Sequence, residues 1–77
     1  MLEYRVKAHR IDAHGSEAST KSATLTLDTD LNGRPDAFNP AELFLASIAA
    51  CMIKGIERVS PMIHFSLRHV DISLHGI

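Results

Sequence analysis

The sequence predicts a small α+β fold in the order β-β-α-β: an antiparallel sheet packed on one central apolar helix, with the core completed by dimerisation. Three observations predict it. Residues 39–59, NPAELFLASIAACMIKGIERV, are the longest apolar run, with no charge between Leu43 and Ile53. Two stretches before it, 2–11 and 19–27, alternate with period two, as half-buried strands do. A stretch after it, 69–75, alternates in the same way.

In the first strand Leu2, Tyr4, Val6 and Ala8 fall on one side, and Glu3, Arg5, Lys7 and His9 on the other. Ala13-His14-Gly15-Ser16 supplies the turn, with Gly15 able to take positive φ. From Ser19 to Leu27 the inward set is Ala23, Leu25 and Leu27; Ser22, Thr24 and Thr26 face out. A threonine-rich outer face suits a solvated antiparallel sheet. Asp28 to Phe38 reads as a loop, since Asp28, Asp30, Asn32, Gly33, Pro35 and Asp36 all discourage regular structure. It leads into the helix start, either as a plain connector or as part of a site.

The helix begins with recognisable chemistry. Asn39 can accept a backbone N–H that has no helical partner. Pro40 fits the first helical position, and Glu42 can reach back to the cap. Lys54, Glu57 and Arg58 mark the other end, and Pro61 stops it. A helix this apolar must be buried on most sides. It is too short and alanine-rich for a membrane span. Ser60 to Ile63 then turns the chain. The apolar phase switches at Arg68-His69, and His69 to His75 reads as a strand with His69, Asp71, Ser73 and His75 outward. Three strands cover only one side of such a helix. Each large side chain left wet on the other side costs about 1.5–3 kcal/mol. More chain, or a second copy, is therefore expected to finish the core.

Seventy-seven residues make one domain, 1–77, at most. A net charge of −1 gives no electrostatic case for nucleic acid or an anionic membrane. A single cysteine excludes an internal disulfide framework. MLEYRVKAHR lacks the apolar core of a signal peptide, so a reducing cytoplasm is the default. The five histidines, 9, 14, 64, 69 and 75, show no close ligand spacing, and no metal or other cofactor is expected. Gly15 and Gly33 form no phosphate loop.

Cys51 is the one strong candidate for chemistry. At about 100° per residue, Ser47, Lys54, Gly55 and Arg58 all lie within roughly 60° of it around the helix. The thiol thus shares a stripe with two cations, and neighbouring positive charge favours the nucleophilic thiolate form. The bland alternative is an inert, small core residue. Glu42, nine residues earlier, is about half a turn away around the helix and suits the cap better than the thiol.

Asn39-Pro40-Ala41-Glu42-Leu43, followed by Ala49-Ala50-Cys51-Met52, resembles the OsmC/Ohr family of thiol-dependent peroxidases. The order of elements around the motif matches the family's N-terminal half, so the resemblance covers nearly all of this chain and about half of a typical member. It implies an OsmC-like half-fold and a cytoplasmic redox role in the oxidative stress response. Cys51 would attack an organic hydroperoxide and become a sulfenic acid. Family members hold the thiolate with an Arg from the N-terminal hairpin and orient that Arg with a Glu. Arg10, or else Arg5, matches the first role, and Glu42 the second. Two departures stand out. The family's second, resolving cysteine has no counterpart here, so an external thiol reductant is implied. Where the Ohr and OsmC branches carry Glu directly after Pro, this chain has Ala41, as in branches that read Pro-x-Glu-Leu. The resemblance also implies an intertwined homodimer, with the hydroperoxide and thiol as small partners. The competing expectations are a catalytically inactive dimeric module that binds an apolar ligand or partner, and a split half-domain.

Overall fold

The computed structural model describes residues 2–77. They divide into two compact units, one running to Ala41 and the other Glu42–Ile77. The first holds a three-stranded antiparallel sheet in the order β1-β2-β3, with β1 Lys7–Asp12, β2 Gly15–Thr20 and β3 Ala23–Leu27. A 20-residue helix, α1 Pro40–Val59, follows, and a 3₁₀ turn, Ser60–Ile63, ends it. A small α+β fold with one antiparallel sheet and one long helix is therefore present, and α1 has the bounds expected from its cap and its stop.

The element order is β-β-β-α, not β-β-α-β. Residues 19–27 do not form one strand: the chain reverses at Lys21-Ser22, and Thr20 pairs with Ala23. Gly15 and Ser16, expected in the turn, and Glu17 and Ala18, assigned to no element, begin the central strand. Their side chains gave no strand signal, because Gly-Ser-Glu-Ala lacks the β-branched and aromatic types that mark strands. The backbone decides instead, since β2 is hydrogen-bonded along both edges. The first turn is tight. Asp12 Oδ1 accepts the backbone N–H groups of His14 at 2.8 Å and Gly15 at 3.1 Å, and a register shift lies between Arg10 and Asp12. The first strand is also shorter than 2–11, beginning at Lys7.

The expected faces survive these changes. Ala8, Ala18 and Leu25 line up across the sheet, as do Arg10, Ser16 and Leu27. Lys7, Ser19 and Thr24, with His9, Glu17 and Thr26, make the other face. The period-two pattern thus gave the right parity for β1 and β3, although the strand between them went unread.

The loop after β3 is closed on itself. Leu27 and Phe38 form a parallel bridge, and Asp28 N donates to Phe38 O at 2.8 Å. Inside it, the buried Asp28 carboxylate accepts the N–H of Asp30 at 3.1 Å and of Arg34 at 3.0 Å. Gly33, at φ 81°, turns the chain where a side chain would be strained.

In the second unit Ser60 ends the helical run. Its Oγ donates to Ile56 O at 2.8 Å and its own carbonyl accepts Phe65 N–H at 2.8 Å. His64, at φ 56°, reverses the chain. Residues 65–77 then run back along α1: a Cβ placed on Gly76 would lie 3.8 Å from Leu45 Cδ1. No strand forms at 69–75. The alternation is realised only in part: Val70 and Ile72 are half-buried and His69, Asp71 and Ser73 exposed, but Leu74, expected inward with them, is exposed too.

A second correction concerns burial. α1 was expected to be buried, yet none of its residues is, and no hydrophobic side chain among the described residues is buried. Phe44 is 66% exposed, and Met52, Ile56 and Val59 are also open. Within Glu42–Ile77 the reason is plain: only the segment after the 3₁₀ turn runs along α1, and one such segment leaves most of an apolar helix open.

Candidate functional site

Cys51 lies in the fourth turn of α1, and its thiol is free and exposed. The structure thus does not bury it as the bland reading expected. Helical spacing sets its surroundings. Toward the N-terminus, Phe44 and Ile48 share its stripe and are both exposed. Ser47 lies there too, its Oγ donating to Phe44 O at 2.7 Å, so the hydroxyl is turned to the helix backbone. Toward the C-terminus the stripe continues through Lys54, Gly55 and Arg58, and Gly55 has open space around its Cα. The thiol thus sits at a border, with apolar side chains on one side and two cations on the other.

Beside this stripe is an open apolar groove of about 670 Å³, lined by Met52, Gly55, Ile56, Val59, Ser60, Ile63, Phe65 and Leu67. Met52 and Gly55 border both features. A neighbouring thiol with an apolar groove and cations can meet an amphiphilic molecule and act as a nucleophile if ionised.

The other two expected site residues are placed differently. Glu42 is in the first turn of α1. Nine residues separate it from Cys51, about 13.5 Å along the axis and half a turn around it. The same helix therefore does not bring the two side chains together. Both Asn39 and Glu42 are engaged in interactions, in keeping with a helix start built from this pair. Arg10 belongs to the first unit. Its register opposite Ser16 puts it on the face that carries Ala8, Ala18, Leu25 and Leu27. Arg10 is exposed there, while Arg5, before β1, pairs with Glu3 at 2.7 Å.

The densest polar cluster lies elsewhere, in the loop 28–38 and the β1–β2 turn. His14 Nδ1 meets Asp30 Oδ2 at 2.8 Å, and Asp30 Oδ1 accepts Asn32 N–H at 2.9 Å. Arg34 grips Asp36 with two nitrogens, at 2.6 and 2.8 Å, and reaches His14 O at 3.4 Å. Ser16 and Thr29 hydroxyls bond at 2.7 Å. Gly15 makes room for this: a Cβ there would fall 2.5 Å from Arg34 Nη1.

Three carboxyls of the cluster sit below their ordinary value. Backbone N–H donation, from His14 to Asp12 and from Asn32 to Asp30, is the main cause, with His14 adding to the second. The Arg34 guanidinium does the same to Asp36, which in turn holds Arg34 more firmly charged. The spacing Asp28-x-Asp30-x-Asn32-Gly33 matches the first half of a calcium loop, but Asn39 stands where such a loop carries its closing Glu. The oxygens here are, moreover, spent on N–H donors, and no group of three or more His, Cys, Asp or Glu among the described residues could hold a metal ion.

No family model, curated protein or solved structure matches this chain. The site is therefore read from its own residues. Among those described, no helix is long and apolar enough to cross a membrane.

Proposed function

We propose that this chain is a redox module of the OsmC/Ohr type, in which Cys51 reduces organic hydroperoxides at the expense of an external thiol. The observation that carries the reading is an exposed, free Cys51 on α1, between Phe44 and Ile48 on one side and Lys54 and Arg58 on the other. The Asn39-Pro40-x-Glu42-Leu43 helix start supports it.

The chemistry balances without a cofactor. The Cys51 thiolate attacks one peroxide oxygen, the O–O bond breaks, and the leaving alkoxide takes a proton to become an alcohol. Cys51 is oxidised to the sulfenic acid. A thiol then displaces water to give a mixed disulfide. A second thiol releases the oxidised donor as a disulfide and returns Cys51 to its reduced form. Lys54 and Arg58 supply positive charge along the stripe. Arg10 is assigned to hold the thiolate and Glu42 to orient Arg10, both on the resemblance. The same resemblance gives the setting, a homodimer in a reducing cytoplasm.

The dimer has independent physical support. The accessible surface is 7021 Å² for 8.5 kDa. One compact body of that mass exposes about 4,700 Å², and even two separate bodies of half the mass about 5,600 Å². Exposed apolar side chains on α1 and the segment after it, Phe44, Met52, Met62, Ile63 and Phe65 among them, are a surface that a second copy would cover.

The same exposed surface favours a second reading, a catalytically silent dimeric module that binds an apolar ligand or partner in the groove of Met52, Ile56, Val59 and Phe65. Turnover separates the two. With an organic hydroperoxide and a small dithiol, the chain should consume peroxide in proportion to protein, and Cys51→Ser should abolish it. Equal consumption by the two proteins, or none by either, rejects the redox reading.

A further inference from the structure

We draw no further inference here: the strongest candidate, the calcium-like loop Asp28–Asp36 beside the β1–β2 turn, has its carboxylate oxygens committed to the N–H groups of Asp30, Asn32 and Arg34, to His14 and to the Arg34 guanidinium, and no second observation points to a cation there.

Discussion

Asp28 is 5% exposed and accepts two backbone N–H groups, one from Asp30 and one from Arg34. Its own N–H closes the loop on Phe38. One side chain thus folds a connector that the chain needs in order to enter α1 through Asn39 and Pro40. Asp28→Ala removes both acceptors, and a donor left unsatisfied in a partly buried place costs about 1–3 kcal/mol. We expect a loss of about 2 kcal/mol by chemical denaturation, with Asp28→Asn, which keeps one acceptor oxygen, losing less. Equal stability of wild type and Asp28→Ala would show that the loop closes without this carboxylate. Lys21 is the opposite case, a side chain the backbone does not favour. It sits at φ 54° in the two-residue β2–β3 turn. Lys21→Gly removes the steric cost of that conformation, partly offset by the freer unfolded chain. A net gain of about 0.5 kcal/mol is expected in a thermal melt, and a lower melting temperature would contradict the turn geometry.

At the scale of elements, acid should loosen the loop before the helix. Asp12, Asp30 and Asp36 all have folded values below the usual 3.8. A lowered carboxyl stabilises the fold fully above its unfolded value and loses that contribution as pH falls through its folded value. Protection of the His14, Gly15 and Asn32 amides, each exchange rate taken against the intrinsic rate at the same pH, should therefore hold from pH 7 to about 4 and fall only below it. A loss of protection already between pH 7 and 5 would point away from these carboxyls. The helix was legible in the sequence because its signals are local: Asn39, Pro40, the uncharged run and Pro61 all act within a few residues. The sheet was only half legible. Leu25 and Leu27 announced β3, but β2 is made of small and polar residues whose place is fixed by hydrogen bonds to both neighbours, which no local pattern carries. The stretch 69–75 read as a strand and forms none, and its alternation holds only to Ser73, since Leu74 is exposed; a strand is defined by pairing, which a local pattern does not carry. Cys51 could be picked out from its type and spacing, while its exposure could not.

For the whole molecule, the apolar surface is the central physical fact. Phe44, Met52, Ile56, Val59 and Phe65 are all exposed, and leaving each wet forgoes about 1.5–3 kcal/mol. Light scattering at micromolar concentration should therefore give the mass of a dimer or higher; a monodisperse monomer with a cooperative melt would contradict the expected assembly. The thiol is the sharper issue, since a redox module and a binding scaffold present the same helix. The deciding measurement is the single-turnover rate at which Cys51 is oxidised by an organic hydroperoxide, set against hydrogen peroxide, with the sulfenic acid trapped by dimedone and Cys51→Ser as blank. The proposed function predicts a dimedone adduct on Cys51 alone, formed faster with the organic hydroperoxide, because Phe44 and Ile48 share the thiol's stripe on α1. No adduct, or equal slow rates with both oxidants, would contradict it.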